Sequence, residues 1–213
     1  MKPFKELRNL AVQSLTGYWG NAAIITLVYV IISGGLSSLG SYSGGDIAGL
    51  IVTLVLLPIQ WGYYVLFLDK VRGNEVGFGH LISGYNDFSR ICGTLFLQSI
   101  YVLLWSLLLL IPGIVKSYSY AMTPYVLNDN SELSYNAAIT RSSQLMKGQK
   151  LNLFLLHLSF IGWAILSVLS LGIGFLFLSP YMHAAEAHFY ETLLKEEAAK
   201  APVIAEESAA DNN

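Results

Sequence analysis

Ile47–Leu68 reads IAGLIVTLVLLPIQWGYYVLFL, 22 residues without one charged side chain. A helix crosses the hydrocarbon of a bilayer with roughly 20 apolar residues, so this run predicts a membrane-spanning helix. Similar runs lie at Asn21–Leu39, Ile91–Leu110 and Leu151–Leu169. Composition points the same way. Of the 213 residues 54% are hydrophobic and only 12% charged, with mean hydropathy +0.53. A soluble domain carries about a quarter charged residues, so most of this surface should face lipid. A formal charge of −2 and a pI near 6.1 give no basis for nucleic-acid binding. The single cysteine, Cys92, permits no internal disulfide and no thiol-based metal site, and reads as a small buried apolar residue.

Two shorter or more polar candidates remain, Gly113–Leu127 and Gly172–Leu193. Each follows a tight glycine-containing turn, Ile111-Pro112-Gly113 and Leu171-Gly172-Ile173-Gly174, that would fold the chain back on the preceding helix. The expected architecture is therefore an all-α, polytopic transmembrane helical bundle of six spans arranged as three hairpins. A four-span alternative, in which the second and third hairpins do not fully cross, keeps the same sidedness. With six spans, 11 of the 12 basic residues fall on one side: Lys2, Lys5, Arg8, Lys70, Arg72, Arg90, Arg141, Lys147, Lys150, Lys195 and Lys200, with Lys116 alone opposite. The positive-inside rule makes the basic face, and both termini, cytoplasmic. The basic start resembles a signal peptide, but the apolar run from Ala22 to Leu39 is too long for one and no small-x-small site follows. It reads as a retained first helix.

Gly17, Gly84 and Gly148 recur at intervals of 67 and 64 residues, each ahead of an apolar stretch and each answered by a proline: Pro58, Pro124 and Pro180. Ahead of the glycines lie amphipathic segments. In Pro3–Leu15, Phe4, Leu7, Ala11 and Leu15 share one face. In Asn130–Met146 the stripe is Tyr135, Ala138, Ile139 and Leu145 or Met146, and Val76–Ser83 is a shorter equivalent. The pattern suggests one unit used three times (about 3–72, 76–129 and 130–197) within an integral membrane domain 1–197: a surface helix, a left-handed glycine stop, a spanning helix, a tight turn, and a second helix kinked by its proline. A kink frees a backbone carbonyl, which in lipid must find a partner. Residues 198–213 are small, polar and acidic and are expected to be disordered and cytoplasmic.

Lys116 is the candidate for intramembrane chemistry, with Ser117, Tyr120, Thr123 and Tyr125 close behind. It stands three residues past an outer turn, so its stem is expected to carry the ammonium to the interface, and the Tyr/Ser face suggests a helix buried in the bundle. His183, Glu186 and His188 read as the cytoplasmic end of the last helix, since the histidines are five residues apart and no further ligand completes a metal set. His157 reads as a buried hydrogen-bonding residue. Ser33 with Ser37 and Gly34 with Ser38 permit close helix contact, internal or between copies of the chain. Tyr18, Trp19, Trp61, Tyr63, Tyr64, Tyr85 and Tyr190 fall where interfacial anchors are expected. There is no HExxH, G-x-S-x-G, P-loop or dinucleotide fingerprint, and no cofactor is implied.

IPGIVKSYSYAMTPYVLNDN at Ile111–Asn130, then Met146-Lys147-Gly148, LSFIGW at Leu158–Trp163, LGIGF at Leu171–Phe175 and Pro180-Tyr181 together resemble the bacterial integral membrane proteins of domain of unknown function 975. Gly17-Tyr18-Trp19-Gly20 resembles that family's glycine/tryptophan turn. The resemblance implies a multi-pass inner-membrane protein and brings no site residues with it. The expected role is a non-enzymatic accessory or interaction subunit of the envelope, partnered by lipid and by a membrane protein or a second copy. The alternative is a small carrier or exporter for an apolar or amphipathic solute, using the polar region around the fourth span.

Overall fold

The computed structural model describes residues 2–42 and 46–210, with side chains at 2–38 and 49–200. The described residues form helices and turns, without a strand. In chain order the helices are α1 (Phe4–Leu15), α2 (Trp19–Tyr42), α3 (Asp46–Val71), α4 (Gly79–Ile82), a 3-10 turn (Ser83–Asp87), α5 (Phe88–Leu108), α6 (Leu110–Tyr120), α7 (Thr123–Asp129), α8 (Tyr135–Leu145), α9 (Lys150–Leu158), α10 (Ile161–Leu169) and α11 (Phe175–Ala210). Helix α3 lies centrally, touching α2, α4, α5, α7 and α11, while α11 also packs on α1, α2 and α10. The acidic tail expected at 198–213, and the side chain of Asp46, lie largely or wholly outside the residues whose side chains are described.

Four stretches are long and apolar enough to cross a membrane: Trp19–Ser38, Gly49–Val71, Gly79–Leu108 and Lys150–Leu169. The expected count of six is reduced for two physical reasons. The fourth candidate is two short helices, α6 and α7, of 11 and 7 residues. Pro124 starts the second of them, where its missing N–H costs nothing, and does not kink a continuous span. Helix α11 is long, but His183, Glu186, His188 and Glu191 dilute its apolar half. The outer surface is nonetheless strongly apolar at the helix ends, with Leu107 83% and Leu171 94% exposed. Such a belt is stable against hydrocarbon and not against water.

The glycines separate by mechanism. Gly17 and Gly148 have φ of +77° and +78°, so each ends its surface helix in the left-handed region. Gly84 has no positive φ. It is buried in the 3-10 turn against the backbone of Pro58, where a Cβ would lie 2.5 Å from the Pro58 carbonyl oxygen. That contact sits at Pro58, which stands inside the continuous helix α3. Pro58 cannot bond the carbonyl of Leu54, and that oxygen instead accepts from the Cys92 thiol at 3.5 Å. The neighbouring Val55 carbonyl accepts from Tyr85 Oη at 2.6 Å. The carbonyls one turn ahead of Pro58 thus find partners in the turn and on α5.

Helix α1 does not lie free on the surface. Leu7, Ala11 and Leu15 are buried, and Arg8 reaches under α9, donating to Tyr181 Oη at 3.2 Å and stacking over Phe160. Ser14 Oγ lies 2.8 Å from His188 Nε2, so His188 joins α11 to α1. Tyr135 begins α8 at φ +48° and is exposed, leaving Ala138, Ile139, Ser142 and Leu145 as the buried stripe. Three expected interfacial anchors are interior: Trp61, Tyr63 and Tyr190 are buried, and Trp61 Nε1 donates to the Pro124 carbonyl at 3.0 Å. The small-residue stripe of α2 makes no close internal contact at Gly34 or Gly35, where a Cβ would meet nothing within 4 Å.

Candidate functional site: a buried carboxylate between two histidines

The ends of α3 and α7 meet the middle of α11. Arg72 forks onto Asp129 with both N···O distances 2.6 Å and donates from Nε to Glu191 at 2.8 Å, while Tyr190 Oη donates to Asp129 at 2.9 Å. Burial alone would raise the Asp129 carboxyl. The Arg72 hydrogen bonds and charge, with help from Tyr190 and Asn128, outweigh it and hold the group below the ordinary carboxylate range. Arg90 donates to the carbonyls of Leu127, Asn130 and Leu133, satisfying the end of α7. These contacts fix how α11 faces α7 and α3.

Within that frame α11 turns Glu186 inward, its side chain 13% exposed. Glu186 Oε1 lies 2.8 Å from His157 Nε2 on α9, and Oε2 lies 3.2 Å from His183 Nδ1, one turn back along α11. Tyr125 Oη on α7 donates to Oε2 at 3.4 Å. Each imidazole is positioned by aromatic neighbours. His183 is ringed by Tyr63, Tyr64 and Phe67 at centroid distances of 5.1, 4.6 and 5.9 Å. His157 Nδ1 is 3.3 Å from Tyr118 Oη. Tyr63 Oη extends the polar chain to Thr26 Oγ1 at 2.8 Å and Ser179 Oγ at 2.9 Å.

Glu186 and His157 form the inner wall of a cavity of about 260 Å³. Leu57, Leu95, Ala121 and Pro124 give it an apolar side, and Gln60, Tyr64, Gln98, Ser99 and Ser117 a polar one. Gln60 and Ser99 are exposed and mark where it opens. Gln98 Oε1 lies buried with no hydrogen-bond donor among the described residues. An orphaned acceptor costs about 1–3 kcal/mol; this oxygen is itself covered by protein and does not open onto the cavity that Gln98 helps to line.

The site draws its histidines, its carboxylate, Tyr118 and Tyr125 from the second half of the chain. Residues 107–197 match the family described as protein of unknown function (DUF975). The DUF975 match thus holds the ionisable wall of the cavity, while Leu57, Gln60, Tyr64, Leu95 and Gln98 come from the chain ahead of it. No curated protein and no solved structure matches the chain.

Of the five polar residues of the expected intramembrane region, four divide between two places and Thr123 lies in neither. Ser117 and Tyr125 belong to the Glu186 site, Ser117 lining the cavity and Tyr125 bonding the carboxylate. Thr123 is buried and donates to the Tyr120 carbonyl at 2.7 Å, a local helix-end bond. Lys116 and Tyr120 face a different cleft, which they share with Lys147 and Lys150. The Lys116 ammonium stands over the Trp105 ring at 4.8 Å and near Tyr120 at 5.8 Å. Spacing along one helix finds His183 and Glu186, three residues apart, but not His157, which arrives from α9. Among the described residues no group of three His, Cys, Asp or Glu side chains is arranged to hold a metal ion.

Proposed function

We propose that the protein is a non-enzymatic, multi-pass inner-membrane carrier for a small amphipathic solute that bears an N–H or O–H donor. The observation that carries this reading is a half-apolar cavity whose lining includes the Glu186 carboxylate, held between two imidazoles. A solute of that class suits both faces: its donor competes with His157 for Glu186, and its apolar part lies on Leu57, Leu95 and Pro124. Carboxylate and imidazoles within 2.8–3.2 Å can pass a proton among themselves as a solute arrives or leaves. In this reading the basic face with both termini is cytoplasmic.

Purified protein reconstituted into vesicles tests the proposal with a panel of small amphipathic amines and alcohols. Flux of at least one solute is expected, with at least tenfold loss in Glu186→Gln and in Gln98→Leu. No flux for any member of the panel would overturn the carrier reading. The accessory-subunit reading then takes its place, favoured by a groove of about 500 Å³ that Trp19, Trp163, Phe177 and Tyr181 line almost entirely with apolar surface. A crosslinked partner or a second copy seated there would support it.

A further inference from the structure

Three lysines on separate pieces of the chain meet around one cleft of about 390 Å³: Lys116 on α6, Lys147 after α8 and Lys150 as the first residue of α9. Among the described residues no carboxylate lines it. The remaining wall is rich in hydrogen-bonding side chains, including Asn136, Thr140 and Ser143. Lys147 also borders a neighbouring groove with Glu196 and Glu197, but Glu197 is engaged by both terminal nitrogens of Arg141. Lys150 adds its charge at the positive end of the α9 dipole, the unfavourable end for a cation. Lys116 is held over Trp105 and Tyr120 and not by an acid. The cleft therefore gathers like charges at a helix N-terminus with no carboxylate in its own lining.

We propose that this cleft binds a phosphate-class anion, either the phosphate of an anionic lipid or a soluble phosphate. Charge and donor count select that class. A phosphate brings up to two charges and several oxygens, enough to take the three ammonium groups together with the Thr140 and Ser143 hydroxyls and the Asn136 amide. A single carboxylate has one charge and two oxygens and leaves most of these donors unused. The site lies apart from the Glu186 cavity and shares no lining residue with it, so it stands or falls independently of the carrier reading.

Native mass spectrometry of the full chain in neutral detergent tests the site, with phosphatidic acid, phosphatidylcholine and inorganic phosphate as probes. Phosphatidic acid retained over phosphatidylcholine, and lost from Lys116→Gln/Lys147→Gln/Lys150→Gln, supports the site with a lipid source. Inorganic phosphate bound alone, and lost from the same variant, supports it with a soluble source. Each lysine removed is expected to weaken binding about fivefold, so exposed Lys147→Gln alone gives a measurable loss even if the triple variant fails to insert. Lys5→Gln and Lys195→Gln, outside the cleft, bind as wild type. Equal retention of every probe by wild type and Lys147→Gln, or no preference for phosphate over phosphatidylcholine, overturns the proposal.

Discussion

Replacing Gly84 by alanine should break the seal between the 3-10 turn and α3 at Pro58. A Cβ at Gly84 meets the Pro58 carbonyl oxygen at 2.5 Å and the Pro58 C and Cα atoms at 3.0 Å. All three are backbone atoms, which no change of rotamer can move aside. Gly84 has no positive φ, so alanine meets no conformational objection and the cost comes from packing alone. Forcing an extra methyl group into such a site costs about 1–3 kcal/mol. Cys92 is the only cysteine and packs against the same stretch of α3, bonded to the Leu54 carbonyl. Its maleimide labelling in neutral detergent therefore reads how often the contact opens. Where labelling waits on local opening, that cost raises the rate roughly five- to 150-fold. Gly20→Ala is the control: its Cβ meets nothing within 4 Å, and the rate should not change. Equal labelling of wild type and Gly84→Ala would refute the close approach and the reason given for this glycine.

Gly17→Ala should destabilise by about 1–2 kcal/mol through the left-handed backbone alone, in open space and with no rise in Cys92 labelling; thermal unfolding beside the labelling rate separates the two mechanisms. Tyr85→Phe removes the donor to the Val55 carbonyl and should cost about 1 kcal/mol in the same unfolding assay. The depressed Asp129 carboxyl means that its pairing with Arg72 stabilises fully above the unfolded carboxylate pKa, about 3.9, and is lost as pH falls through the lower folded value. Unfolding midpoints measured from pH 6 downward should therefore fall more steeply below about pH 4 in wild type than in Asp129→Asn; parallel curves would remove the clamp from the ledger.

Sequence patterns reached what is local. The buried face of α1 follows from Leu7, Ala11 and Leu15 repeating at helical spacing, and left-handed turns at Gly17 and Gly148 follow from glycine behind an amphipathic run. Gly84 looked equivalent because spacing cannot tell a glycine required by φ from one required by close approach, and only the distant Pro58 distinguishes them. Pro124 was legible as a helix-disturbing residue but not as a helix start, since nothing in Tyr120–Thr123 signals the break between α6 and α7. The Glu186 site was only half legible. His183 lies one turn away, but His157 lies 29 residues back on another helix, and Gln98 comes from further still. For Lys116, distance from the α5–α6 turn says nothing of its ring partner Trp105 or of the cleft it shares with Lys147 and Lys150, which come from other parts of the chain.

Gentle purification of wild type, Gln98→Leu and Glu186→Gln, followed by extraction and mass analysis of the small molecules that remain bound, tests the cavity most directly. Wild type should carry a small donor-bearing amphipathic compound at near-stoichiometric amount, and both variants should lose it while Lys147→Gln keeps it. Identical small-molecule content in wild type and the two cavity variants would contradict a binding role for the pocket between Gln98 and Glu186.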